Sequence, residues 1–277
     1  MPSGELTVES HYTVGGLNDA IFAALEASGL DLENLTAKDI AAIDEFHVRG
    51  REATTEIAAL AGLEPSDRVL DAGCGIGGPS RHLATEYGCH VTGLDLIEEY
   101  CQAAEMLAGL AGLEDKVAYR HGNALDPPFE DSAFDVVWTQ HASMNISDRP
   151  KLYSEMHRVL KPGGRLAIYD VIGGDGEPLH FPVPWAAKPS ISFLLNADDL
   201  RALLEATGFE VVTWRDARAS TLGWIAKMAA SPPPDGPPSL MLGLLMGSNM
   251  AEKAGNLRLN LKESKIGLLQ AVLTRED

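Results

Sequence analysis

The sequence predicts an α/β protein: a mostly parallel sheet with helices on both faces, a helical cap ahead of the first strand and an inserted lid near the end. One observation is the stretch Val69-Leu-Asp-Ala-Gly-Cys-Gly-Ile-Gly-Gly78, an apolar strand that runs into glycines and then into the helical pattern Pro79–Tyr87. That succession of strand, glycine loop and helix opens a βαβ unit. A second is the alternation that follows, in which short continuous apolar runs, typical of strands buried on both faces, take turns with helical patterns. A third is a set of helical patterns ahead of the first strand, where they cannot belong to the alternating wind.

The elements follow in chain order. Residues 16–28 carry apolar residues at helical spacing and stop before Gly29, a shorter helix is expected over about 36–43, and another over about 49–62. Together they form a cap, residues 1–64, expected to fold over the ligand crevice. Strands are expected near 67–71, 89–94, 116–120, 134–138, 164–171 and 209–215, with helices near 78–87, 97–111, 149–159 and 197–207. This core, 65–218, is interrupted at 173–195 by a Gly- and Pro-rich insert. A helical lid insertion, 219–264, has patterns around 219–229 and 239–254, split by Pro232-Pro-Pro-Asp-Gly-Pro-Pro238, which reads as a stiff connector. A last strand, Ile266–Leu273 within 265–277, returns to the core sheet.

Composition narrows the function. A chain of 277 residues can bury a substantial interior, and 45% hydrophobic with 22% charged residues is the balance of an ordinary globular protein. The net charge of −18 argues against a nucleic-acid partner, which would need a basic patch. Cys74, Cys89 and Cys101 are a sparse, odd set that suits reduced thiols and a cytoplasmic location. Cys89 and His90 are neighbours in a strand and point to opposite faces, so they do not make a nucleophile and base. The N-terminal residues lack a basic stretch followed by an apolar run, so no secretory signal is expected, and no apolar run reaches the length of a membrane span.

The glycine loop admits two readings. Gly73, Gly75 and Gly78 fit the G-x-G-x-x-G spacing of dinucleotide folds, with Asp95 about 20 residues on, so an NAD-dependent oxidoreductase is one of them. Asp71 favours the other, because a carboxylate at the mouth of the first strand would repel a pyrophosphate and suits a ligand carrying an ammonium or a sulfonium. Together with Gly93-Leu-Asp-Leu96, Gly122-Asn-Ala124, Phe134-Asp-Val-Val-Trp138 and Leu160-Lys-Pro-Gly-Gly164, the loop Asp71–Gly78 resembles the class I S-adenosylmethionine-dependent methyltransferases in order and spacing across residues 65–175. The resemblance implies a Rossmann-like core with a seven-stranded sheet whose last strand is antiparallel, and no metal.

It also implies roles at the cofactor. Asp71 would hold the methionine ammonium, and the loop amides, at Gly73, Cys74, Gly75 and Gly77, would line the homocysteine part. Asp95 would take both ribose hydroxyls, Leu96 would cover the adenine, and Asn123-Ala124 would read its edge. Gln140 and His141 would complete the floor under the sulfonium. A narrower resemblance, carried by His11-Tyr12 and Phe46-His-Val-Arg-Gly-Arg-Glu-Ala-Thr54, is to the amino-terminal lid of the sarcosine/dimethylglycine and phosphoethanolamine N-methyltransferases. It implies that Tyr12 closes over the methyl donor and that Arg49 approaches the methionine carboxylate.

Transfer from a sulfonium needs alignment and exclusion of water, and, for an alcohol or phenol, a general base. His141, just past the fourth strand, is the candidate base, with Tyr12 beside it. Substrate walls are expected from Met144, Asn145, Tyr169, His180, Phe181 and Trp185, and from Met246 in the lid insertion, with Trp138 a core aromatic. The phosphoethanolamine enzymes carry a catalytic histidine where this chain has Asn145, and cations are scarce in the insert, which disfavours a phosphorylated acceptor. Only Arg49 and Arg165 stand as cations for a carboxylate. The leading expectation is N-methylation of a small amine or amino acid by a monomer or homodimer, producing S-adenosylhomocysteine. O-, S- or C-methylation of a small apolar acceptor stays open, as does a non-catalytic module that binds the cofactor.

Overall fold

The computed structural model describes residues 7–13, 15–44, 47–175, 178–230 and 249–276, with backbone alone at 42 and 43. Seven strands form one sheet: β1 (Arg68–Ala72), β2 (His90–Asp95), β3 (Val117–His121), β4 (Phe134–Gln140), β5 (Leu160–Gly173), β6 (Phe209–Asp216) and β7 (Ile266–Arg275), in the order β3-β2-β1-β4-β5-β7-β6. β7 runs antiparallel to both β5 and β6, and the pairs from β3 across to β5 are parallel. The chain order reverses between β1 and β4, and at such a switch point the crossover helices diverge to opposite faces and leave a crevice beyond the strand ends.

Ten helices are described: α1 (Val8–Tyr12), α2 (Leu17–Ser28), α3 (Ala41–Asp44), α4 (Gly50–Ala61), α5 (Gly78–Tyr87), α6 (Glu98–Leu110), α7 (Arg149–Val159), α8 (Ala197–Ala206), α9 (Arg218–Ala230) and α10 (Met250–Lys262). Successive strand residues serve opposite cores, as the pleat requires. Val69, Val136 and Ala167 face Ile57 and Leu83 on one side, while Leu70, Val137 and Ile168 face Leu152, Leu200 and Leu204 on the other. Cys89 is likewise buried and His90 exposed. Among the described residues, no helix is long and apolar enough to cross a membrane.

Three elements differ from the sequence expectation. α1 was not anticipated: five residues are too few to show a period, and what starts the helix is a capping box between Thr7 and Ser10. The helix expected over 36–43 shrinks to α3, with turns before it, because Thr36 and Asp39 close a local side-chain turn. The lid helix expected over 239–254 is found as α10, which starts at Met250, while residues 231–248, the proline run included, lie outside the described residues.

The cap is fastened to the core by polar contacts. Glu99 of α6 accepts the amides of Gly15 and Leu17 at 3.1 and 2.6 Å, supplying the acidic cap that the N-terminus of α2 lacks in its own sequence. Arg81 of α5 is fully buried and donates to Asp44 of α3 at 2.9 Å and to the Ile76 carbonyl at 2.7 Å. Removing one member of a buried ion pair costs far more than removing an exposed one. Arg81→Met should therefore lower stability by about 3–5 kcal/mol in urea unfolding, while Arg201→Ala, which breaks the exposed pair with Glu205, should change it by less than about 1 kcal/mol.

Candidate active site

The loop between β1 and α5 is locked to the end of β2. The Gly73 and Cys74 amides donate to the Leu94 carbonyl at 2.8 and 3.2 Å, and the Gly75 amide donates to Asp95 Oδ2 at 2.8 Å. Gly73 has φ +82°, and a Cβ there would stand 2.3 Å from that of Ala142, so both the turn and the close approach require glycine. A cavity opens beyond these strand ends, walled by Gly73, Cys74, Gly75, Asp95, Leu96 and Ile97 on one side, and by Asn123, Ala124, Gln140, His141 and Asn145 on the other. Tyr12, Asp44 and His47 of the cap close it over.

Two expected members of the loop do not face this cavity. Gly77 donates its amide to the Cys74 carbonyl at 2.9 Å and lies against the Tyr119 ring, where a Cβ would come within 2.3 Å of the hydroxyl. It serves packing under the loop. Asp71 is 1% exposed and accepts a hydrogen bond from Ser80 Oγ at 2.6 Å, in the first turn of α5. The expected contact with an ammonium is thus not preformed: the carboxylate lies beneath the loop at a helix N-terminus, which favours its charge. Its field still reaches the loop, where burial, then Asp95 and Asp71, push the Cys74 thiol up.

Asp95, at the end of β2, is an acid of the cavity wall. Oδ2 holds the Gly75 amide and Oδ1 the Ile97 amide, at 2.8 and 2.9 Å, and each oxygen keeps a further lone pair. Burial pushes this carboxyl up, against the amides that hold it down. Asn123 Oδ1 accepts the Leu125 amide at 2.9 Å, which fixes the side chain beside Ala124.

His141 follows β4 directly and is a non-glycine residue in the left-handed region, φ +49°. Its amide donates to the Tyr169 carbonyl at 2.8 Å, and its ring lies 4.9 Å from the Tyr169 ring and 6.0 Å from that of His47. Nε2 has no hydrogen-bond partner, and burial, with His47 adding to it, holds the imidazole well below its ordinary pKa and so neutral. Gln140 Oε1 accepts Trp138 Nε1 at 2.8 Å, and its Nε2 lacks a partner. Tyr12 donates its hydroxyl to Asn145 Oδ1 at 2.9 Å, and Asn145 Nδ2 reaches the carbonyls of Trp185 and Ile191, both at 2.8 Å. Asn145 is a latch between the cap and the 173–195 insert. The turn that carries it is held from below by Asp170, which accepts from the Ser143 amide and hydroxyl.

A second cavity, of about 480 Å³ against about 140 Å³ for the first, adjoins it and shares Tyr12, His47 and His141. Apart from Arg258, its remaining described wall is mostly apolar and includes Met144, Trp185, Val171, Trp224, Ile225 and Met228. Trp224 and the exposed Arg258 were not singled out in the sequence. Nothing in the α9 and α10 patterns distinguishes a wall residue from a surface one.

Other expected residues are placed elsewhere. Arg49 is 3% exposed and gives its guanidinium to Glu56 and Glu52 at 2.5 and 2.7 Å, because its left-handed conformation at the start of α4 turns it onto that helix. Arg165 grips Asp67 at the opposite end of the sheet. His180 pairs with Glu263 at 2.8 Å on the outer side of α10, and Phe181 packs on the core beside it. Tyr169 and Trp138 are buried behind the walls. Met246 lies outside the described residues.

A family profile described as a methyltransferase domain matches residues 70–168. The methyltransferase GfsG of Streptomyces halstedii is 30% identical over 66% of this chain and 67% of its own. The chain belongs to the class I S-adenosylmethionine-dependent methyltransferases. The glycine/sarcosine/dimethylglycine N-methyltransferase of Actinopolyspora halophila is 38% identical over 65% of this chain and 31% of its own. The chain spans less than half the length of the first curated relatives it matches. The fold is shared with geranyl diphosphate C-methyltransferase from Streptomyces coelicolor A3(2), at 18% identity and a TM-score of 0.68, over 99% of this chain and 100% of that one.

The buried imidazoles set an acid limit. Burial lowers His47 and His82 to about 4, and His141 well below 6.5. These groups are neutral when folded and protonated when unfolded, so their contribution is intact above about pH 6.5 and is lost as pH falls toward 4. Three such groups give a slope of roughly 4 kcal/mol per pH unit near pH 5. Denaturant unfolding from pH 7 to 5 should show that loss, and His82→Asn should remove roughly one third of it.

Proposed function

We propose that the chain moves a methyl group from S-adenosylmethionine to a small-molecule acceptor and releases S-adenosylhomocysteine. The observation that carries this reading is the meeting of the two cavities at Tyr12, His47 and His141. One chamber suits a nucleoside and the other an acceptor, with a short passage between them. The sulfonium supplies an already activated methyl group, so what the protein contributes is alignment of the acceptor and exclusion of water.

The first cavity fits the donor in its chemistry. The spare lone pairs of Asp95 suit two ribose hydroxyls, Leu96 and Ile97 suit an adenine face, and Asn123-Ala124 its edge. Gly73, Cys74 and Gly75 let the aminoacyl end lie on backbone, over the negative field of Asp71. Arg49 is spent on Glu52 and Glu56, so Gln140 Nε2 is the donor we assign to the carboxylate. The cap and the helices α9 and α10 act as the lid around the acceptor.

The expected acceptor, a small amine or amino acid, is the kind named for the 38% identical relative, but the second cavity favours another. Among the described residues the second cavity is lined by no carboxylate for an ammonium, and its single Arg is exposed. Its large apolar wall favours a bulkier, apolar molecule. The three cysteines are free, which supports a cytoplasmic placement.

Calorimetry tests the donor assignment. S-adenosylhomocysteine should bind with micromolar affinity, and Asp95→Ala should weaken it by at least about tenfold, the loss expected for charge-assisted hydrogen bonds. No heat of binding at about 100 μM, or protection by NAD instead, would contradict it.

A further inference from the structure

Three nitrogen- or oxygen-bearing side chains stand where the two cavities meet, and two of them are engaged. Tyr12 gives its hydroxyl proton to Asn145 Oδ1, and His47 Nε2 lies 3.0 Å from both the Gly50 carbonyl and Thr54 Oγ1. His141 Nε2 is buried without a partner, in a ring held by Tyr169 and by the left-handed backbone. A neutral imidazole nitrogen with an available lone pair is a proton acceptor. An amine arriving deprotonated has no use for it, whereas a hydroxyl does.

The rest of the acceptor cavity is unusual for this protein. The chain carries a net charge of −18, yet among the described residues no Asp or Glu lines this cavity, and the Lys or Arg at its wall is Arg258, exposed on α10. Trp185, Trp224, Met144 and Met228 make up much of the surface between. Among the described lining residues, that guanidinium is the charge that would attract an anionic group.

Building on the methyl-transfer reading above, we propose that the acceptor is a bulky apolar molecule with an ionisable hydroxyl, phenolic or enolic, presented to His141 and an anionic group presented to Arg258. In the transfer, the hydroxyl proton passes to His141 Nε2, an oxygen lone pair forms the bond to the methyl carbon, and the carbon–sulfur bond breaks with its electron pair returning to sulfur. The sulfonium becomes a neutral thioether, and His141 releases its proton to solvent when product leaves. Arg258 sets which acceptor enters, and His141 acts on the atom that reacts.

Three naphthalene probes and one small amine separate the possibilities: 6-hydroxy-2-naphthoate, its isostere 6-amino-2-naphthoate, 2-naphthol without the carboxylate, and sarcosine, each with S-adenosylmethionine labelled in the methyl group. Methyl transfer is expected to 6-hydroxy-2-naphthoate, and to 2-naphthol with a KM higher by roughly five- to tenfold. Arg258→Gln should erase that preference. His141→Gln should lower kcat for the phenol by roughly 10²–10⁴-fold, with partial recovery at high pH, where the phenol ionises unaided. Transfer to the aminonaphthoate or sarcosine in preference to the phenol, or none to either naphthol while S-adenosylmethionine binds, would overturn this acceptor and leave methyl transfer standing. Failure to bind S-adenosylmethionine would overturn both.

Discussion

Buried negative charge around one turn is the constraint on which the site depends. Asp44, Asp71 and Asp95 all surround the loop that leaves β1, and each is held differently: by the Arg81 guanidinium, by the Ser80 hydroxyl and by two backbone amides. Burying a carboxylate is costly unless hydrogen bonds or a cation replace its water. Asp44 is paired with the Arg81 guanidinium. Three carboxylates around one turn suit a cation, such as a sulfonium with an ammonium, lying over the glycines, and disfavour a pyrophosphate.

That constraint also organises the cap. Arg81 binds Asp44 and the Ile76 carbonyl at once, so the loop that receives the ligand and the helix that covers it share one guanidinium. At the other side, Tyr12 is joined to the end of β4 through Asn145, whose amide also holds the 173–195 insert. Cap, insert and strand end are therefore one hydrogen-bonded unit around the passage between cavities. Exclusion of water from that passage by bound ligands would strengthen every electrostatic interaction inside.

The sheet was legible because its strands are short apolar runs between turn residues, and because the glycine loop, Gly93-Leu-Asp95 and Asn123-Ala124 occur at the strand ends. His141 was legible for the same reason: a polar residue straight after a buried strand at the switch point faces the crevice. Side-chain direction was not. Asp71 and Gly77 lie in the same motif as Gly73 and Gly75, but the turn sends them under the loop, and no spacing reveals which way a side chain leaves a turn. Arg49 was misplaced since its left-handed backbone and the glutamates at 52 and 56 act together only in three dimensions. α1 depends on a cap of two hydroxyls, and the wall residues Trp224 and Arg258 depend on how α9 and α10 pack, which sequence periodicity does not give.

A crystal structure of the complex with S-adenosylhomocysteine examines the central claim most directly. The account predicts both ribose hydroxyls within hydrogen-bond reach of the Asp95 carboxylate, the aminoacyl chain across Gly73–Gly75, and the sulfur at the passage flanked by Tyr12 and His141. An adenosine lodged in the larger apolar cavity, or a ribose remote from Asp95, would contradict it.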